Sequence, residues 1–321
     1  MTNRREFLQS GLGLIAAGCM RASRPIGTSA ASLAGTPNAR LPIGFSTLGC
    51  PKWSVAQIAD FAAANDFAGI ELRGILDKMD LTQVPELSTG LPETEKLFER
   101  RQLLVTCLGS SAEMHHADPA KRAAQMDEGR RFIDLAQRLG APYVRVFGNS
   151  WVPGEARDVT LVRIAAGLRE LGDYARGRNV IVIIESHGDF TDSPTLLDLM
   201  KRAGSPNVAV LWDAHHTFVS GHEQPEDTVR QIGPYIRHTH LKDSVPAGND
   251  RRYVLTGTGQ VPVKRQIAAL SRMGYQGFYN FEWEKRWHPE IEEPEIAFAH
   301  YAKVITGYLR EAGVGPRAAS R

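Results

Sequence analysis

Residues 180–184 (VIVII) form an unbroken β-branched run that ends abruptly in Glu185-Ser186-His187-Gly188-Asp189. A strand with one wet face alternates apolar and polar residues, so a continuous run predicts a parallel strand buried on both faces. Residues two apart on a strand point the same way, so Glu185 and His187 are expected to share a face. The carboxyl end of such a strand is where α/β barrels and open α/β sheets carry their chemistry. The plainer reading is a strand that ends in a polar turn.

Similar apolar runs recur along the chain, separated by stretches with helical periodicity. Strands are expected at 41–48 (LPIGFSTL), 67–72 (FAGIEL), 103–108 (LLVTCL), 143–147 (YVRVF), 180–184, 208–213 (VAVLWD), 235–241 (YIRHTHL) and 277–283 (GFYNFEW). A first helix starts at the capping residue Ser54 and buries Val55, Ile58, Ala59 and Ala62 on one face. Further helices are expected at 93–101, 119–139 with Gly140 as its stop, 160–176, 193–203, 226–232, 262–273 and 294–309. The segment 226–232 has the weakest helical pattern. Eight strands alternating with eight helices predict an α/β protein, a closed (β/α)8 TIM barrel in one domain over residues 41–312, with a tail at 313–321. A doubly wound open sheet is the alternative, but no GxGxxG follows the first strand.

Four strand ends carry residues that ligate metals: Glu185, Asp213, His240 and Glu282, in the fifth to eighth strands. Their spacing fits one β/α unit each, with a longer loop before the last. On neighbouring barrel strands these side chains would converge. Three carboxylates and an imidazole suit one divalent ion, Mn²⁺, Mg²⁺, Co²⁺ or Zn²⁺. Without a cation, clustered carboxylates would repel and at least one would take up a proton. A lone acid at a strand end is more often a cap or an ion-pair partner, and a lone strand His more often a core residue; four on successive strands are harder to dismiss.

Composition adds limits. The 321 residues are 42% hydrophobic and 23% charged, ordinary for a globular chain. No transmembrane run follows the N-terminus. Asn3-Arg4-Arg5-Glu6-Phe7-Leu8-Gln9 and the short apolar stretch after it resemble a twin-arginine export signal over residues 1–34, which predicts a periplasmic protein. Asn3 and Gln9 depart from the usual pattern. Cys19 in Ala16-Ala17-Gly18-Cys19 is a weak match to a lipid-anchoring site. Residues 35–40 read as a linker. The formal charge of +2 falls to −1 without Arg4, Arg5, Glu6, Arg21 and Arg24, which gives no electrostatic reason to expect nucleic acid. Cys50 and Cys107 fall in different β/α units and are expected as free thiols.

The pieces GFSTLGCP, GIELRG, IIESHG, LWDAHH, HTHLKD and FEWE, in this order over residues 41–312, resemble the xylose isomerase-like TIM barrels of the sugar isomerase/epimerase group, which are related to the endonuclease IV fold. The resemblance implies metal ligands at Glu185, Asp213, His240 and Glu282, and a substrate contact from His216 in the Asp-x-x-His after strand six. It implies a sugar or keto-sugar substrate and proton abstraction beside a carbonyl, aided by the divalent ion as Lewis acid, with Glu185 and Glu282 as the acid/base pair. His187, His216 and Lys242 would hold hydroxyls or move protons. Arg145, Trp283 and Glu71 are further candidates, as are Trp287 and His288. An Arg found in ketose epimerases shortly after the strand-seven His is replaced by Pro246. Competing readings are a lyase or dehydratase of a keto-sugar on the same metal, a non-catalytic sugar-binding barrel, and an abasic-site endonuclease that would also draw on His115 and His116. The sequence leaves room for a homo-oligomer.

Overall fold

A computed structural model describes residues 39–317. The segment expected as an export signal, Cys19 and the last four residues lie outside the described residues. In chain order the elements are β1 (Ile43–Ser46), α1 (Val55–Ala64), β2 (Gly69–Leu72), α2 (Leu91–Arg101), β3 (Leu104–Glu113), α3 (Pro119–Leu139) and β4 (Tyr143–Phe147). Then come α4 (Arg157–Ala175), β5 (Ile181–Glu185), α5 (Ser193–Ala203), β6 (Val208–Asp213), α6 (Ala214–Val219), α7 (Pro225–Ile232) and β7 (Ile236–Leu241). The chain ends with β8 (Asp243–Ala247), β9 (Asp250–Val254), α8 (Val263–Arg272), β10 (Tyr279–Phe281) and α9 (Pro294–Glu311). Eight parallel strands close into a barrel in the order β1-β10-β7-β6-β5-β4-β3-β2. This is the expected TIM barrel.

Local chemistry explains the helix ends. Ser54 and Gln57 form a reciprocal capping box at α1. Asp118 caps α3, whose first residue is Pro119, and Gly140 ends it in the left-handed region at φ 66°. Three elements differ from expectation, the first being the short extra helix α6, which starts where Asp213 Oδ1 accepts from the His215 and His216 N–H groups. β3 runs on to Glu113 because Ser110 Oγ donates to the Arg145 carbonyl (2.6 Å) and Met114 N to that of Phe147 (2.8 Å), which keeps the chain on β4. Residues 243–254, expected as loop, form the antiparallel β8–β9 hairpin beside the barrel.

Strand parity sorts the side chains. On β5, Ile181 and Ile183 face the barrel axis while Val182 and Ile184 join the large core under the helices. On β6, Ala209 and Leu211 face inward while Val208, Val210 and Trp212 face the helices. Glu185 and Asp213 continue the inward rows. On β10, Tyr279, Phe281 and Trp283 belong to the outer core, so Asn280 and Glu282 point inward. Cys50 and Cys107 are buried free thiols. Among the described residues no helix is long and apolar enough to cross a membrane.

The linker and the tail meet. Arg40 and Arg317 pair antiparallel, N to O at 3.2 and 2.8 Å. The Arg40 guanidinium reaches the carbonyl of Phe67 at 2.9 Å, and that of Arg317 reaches Tyr275 at 3.2 Å. Both contacts lie at the amino ends of the strands.

Gly188 fixes the turn after β5. Its φ is 62°, and a Cβ there would lie 2.1 Å from the Asn149 carbonyl oxygen. Gly188→Ala is therefore expected to cost about 1–3 kcal/mol from the strained backbone alone. Urea denaturation checks this; a midpoint equal to that of the parent protein would refute it.

Candidate metal and active site

The inward rows bring Glu185, Asp213, His240 and Glu282 together at the carboxyl ends of β5, β6, β7 and β10. One ligand atom from each lies within 4.8 Å of every other. His240 Nδ1 stands at the centre, 3.1 Å from Glu282 Oε1, 3.4 Å from Glu185 Oε1 and 3.9 Å from Asp213 Oδ2. Glu185 and Glu282 sit on opposite flanks, because β6 and β7 separate their strands. All four residues are buried.

Two features of the site fit a divalent ion. His240 Nδ1 is buried without a hydrogen-bond partner and faces three carboxylates, a costly condition unless a cation takes it up. Around the cluster, the five buried carboxylates of Glu71, Glu185, Asp213, Glu282 and Glu284 face three buried cations, Arg73, Arg145 and Lys242. The acids outnumber these cations. The carboxylates and single imidazole are hard to intermediate donors, as such an ion requires.

The electrostatics follow from this imbalance. Burial, opposed by Lys242 and reinforced by Glu282 and Glu185, pushes the Asp213 carboxyl up to about 7. Burial raises Glu282 as well, but His240 and Lys242 outweigh it and hold the carboxyl well below the usual range. Burial likewise works against Glu185, yet Arg145 and His240 keep it below its ordinary value. His240, despite burial, is held well above the ordinary imidazole value by Glu282, Glu71 and Glu185.

Glu71, at the end of β2, supports the cluster from below. Its Oε2 accepts from His238 Nε2 and His240 Nε2, each at 2.8 Å. Donation at Nε2 fixes the ring so that Nδ1, the nitrogen that would ligate an ion, faces the carboxylates. Glu71→Gln should weaken divalent-ion binding roughly 10- to 100-fold while the barrel still folds. Competition with a chromophoric chelator measures this; unchanged affinity would remove Glu71 from its supporting role.

The remaining candidates fall in three groups. His187, His216 and Arg145 line a cavity of about 150 Å³ above the cluster, with Leu48, Arg73, Phe147, Tyr253, Glu284 and Trp287. Arg145 Nε lies 3.2 Å from Glu185 Oε2, and its guanidinium stacks on Phe147 at 3.9 Å. His187 and His216 pack edge to face at 5.1 Å, and burial keeps both below the ordinary imidazole value. Lys242 is fully buried in the cluster itself: its ammonium is 2.8 Å from Asp213 Oδ2 and also contacts Glu282 and Glu284. Burial would depress it, but these three acids hold it well above its ordinary value. It therefore balances charge among the acids rather than reaching hydroxyls in the cavity.

Trp283 is the correction. It lies outside the cavity, stacked on Phe281 at 5.5 Å, with Nε1 donating to the Glu292 carbonyl at 2.9 Å. Inward Glu282 forces its neighbour outward, toward α9. Trp287, 54% exposed, stands at the mouth instead.

Arg73, Tyr253 and Glu284 were missed by the sequence reading. Parity from Glu71 and Glu282 marks Arg73 and Glu284, and the turn-forming Gly248-Asn249 marks the hairpin that delivers Tyr253. The Gly257-Thr258-Gly259 turn has a loop role: Gly257 and Gly259 N–H groups donate to Asp243 Oδ2, both at 2.9 Å. Two larger cavities, about 290 and 370 Å³, lie at the amino end of the barrel, away from the cluster.

Comparison with known proteins agrees with this architecture. Inosose dehydratase from Geobacillus thermodenitrificans is 28% identical over 162 residues, 45% of this chain and 52% of that protein, so the chain spans about half the length of this relative. The probable 3-DHS dehydratase AsbF from Bacillus anthracis superposes with a TM-score of 0.70 at 18% identity, covering 83% of this chain and 99% of that one. D-psicose 3-epimerase gives 0.68 at 17% identity, covering 86% and 100%. The description of the xylose isomerase-like TIM barrel matches residues 59–303, and with the closed eight-stranded barrel this means that the chain belongs to that family.

Proposed function

We propose that the protein is a metal-dependent isomerase or epimerase that removes a proton beside the carbonyl of a sugar or keto-sugar. The observation that carries this reading is the pair of buried carboxylates, Glu185 and Glu282, on opposite flanks of a cluster at the floor of the cavity. Both are held in the ionised form, as a base must be. A divalent ion held by Glu185, Asp213, His240 and Glu282 would supply Lewis-acid stabilisation of the developing negative charge. One carboxylate takes the carbon-bound proton; the other, on the far flank, returns to the opposite face a proton that it has first taken from solvent, and the first then releases its own to solvent. Arg145 orients Glu185. His187 and His216, kept neutral, offer N–H groups to hydroxyls. Phe147, Tyr253 and Trp287 wall the cavity and limit water.

A second reading, dehydration on the same site, is favoured by the same two imidazoles. Loss of a β-hydroxyl after proton removal needs a donor near the leaving oxygen, and His187 and His216 line the cavity. The similarity to inosose dehydratase supports this alternative. Incubation of Mn²⁺-loaded protein with D-psicose and with an inosose in D₂O, followed by NMR, separates the two. Deuterium at the α-carbon with an epimer or isomer supports the first, and loss of water supports the second. Absence of exchange across ketohexoses, inososes and keto acids would sink both.

A further inference from the structure

A second cluster of metal-ligating side chains stands on the rim of the barrel, two strands away from the first. β3 ends in Glu113, which pairs in register with Phe147 on β4, and Phe147 in turn pairs with Glu185 on β5. Immediately after β3 come His115 and His116. His116 Nε2 is 3.1 Å and His115 Nδ1 3.8 Å from the same oxygen, Glu113 Oε2, and the two rings lie tilted by 39° with centroids 4.1 Å apart. Two donors bound at zinc-like lengths to a tetrahedral ion lie about 3.4 Å apart, so these separations bracket what one ion needs. His115 Nδ1 is buried without a hydrogen-bond partner.

We propose that Glu113, His115 and His116 form a second divalent-metal site of zinc type, two imidazoles and a carboxylate, with an open position toward solvent. The segment is already held in shape. Gln125 Oε1 on α3 accepts from the Glu113 N–H at 2.8 Å, Met114 N donates to the Phe147 carbonyl, and Arg163 on α4 donates to the His115 carbonyl at 3.1 Å. Asn149 Nδ2 donates to Glu113 Oε1 at 2.9 Å, which leaves Oε2 for the ion and orients the carboxylate from outside the ligand set. Two nitrogens make this site softer than the carboxylate-rich cluster, so Zn²⁺, Ni²⁺ or Cu²⁺ is favoured over Mg²⁺. The Asn149 carbonyl also accepts from Asp189 N at 2.8 Å, so the site is joined to the loop that carries His187.

The test uses the metal alone. Zn²⁺ is titrated into chelator-stripped full-length protein, with bound metal counted after gel filtration. The proposal expects two ions per chain in the parent protein and one in His115→Ala/His116→Ala. It also expects one rim ion to remain in Asp213→Asn/Glu282→Gln, whose first cluster is dismantled. Asn149→Ala should weaken the rim ion roughly 10- to 100-fold with the fold undisturbed. Cu²⁺ loaded into the Asp213→Asn/Glu282→Gln protein should give an EPR spectrum with splitting from two nitrogens. A single ion in the parent protein, or a second ion that survives the double His substitution, overturns the proposal.

Discussion

Replacing Glu282 by Gln is expected to slow the exchange of substrate α-protons with D₂O roughly 100- to 10,000-fold, the range that a positioned acid or base contributes. Glutamine keeps the size of the side chain but cannot take a proton. The side chain belongs to the inward row of β10, while its neighbours Phe281 and Trp283 anchor the strand in the outer core. The fold should therefore survive, with an unaltered circular dichroism spectrum. Because Glu282 is also in the metal cluster, the rate must be read at saturating Mn²⁺ with bound metal counted in the same sample. Loss of exchange at full occupancy assigns the proton to Glu282. Undiminished exchange would leave Glu185 as the single base.

The second large effect concerns Lys242. Its ammonium lies among Asp213, Glu282 and Glu284 with no exposed surface. Removal of one partner from a buried charge cluster typically costs about 3–5 kcal/mol, because the others are left uncompensated. Lys242→Met should show that loss in denaturation experiments run with a chelator. With saturating Mn²⁺ the loss should shrink by more than half, since a dication can balance the same acids. Equal losses in both conditions would mean that Lys242 and the ion do not share a task.

Much of this was legible in the sequence because strand burial imposes its own grammar. The run Val180–Ile184 has no polar alternation, and such a strand can only be covered on both sides. Three acids and a histidine at the ends of four neighbouring strands then fall on one rim. Side-chain direction was harder. Glu282 and Trp283 are adjacent, so only one can face the axis, and the acid takes that place while the indole packs outward. The hairpin was harder to see for another reason: Gly248-Asn249 offers a turn, but Ser244-Val245-Pro246 carries too little apolar pattern to announce a strand. Lys242 looked like a surface hand for hydroxyls because a lysine is seldom fully buried, and nothing local in HLKD says that three carboxylates surround it.

The antiparallel pairing of Arg40 with Arg317 has a practical corollary. That bridge sits beneath the barrel floor, whereas the cavity above the cluster lies at the opposite end, beside Trp287. A tether fastened ahead of Arg40 or beyond Arg317 would therefore leave from the underside, and immobilisation by either end would keep the entrance facing the bulk solution.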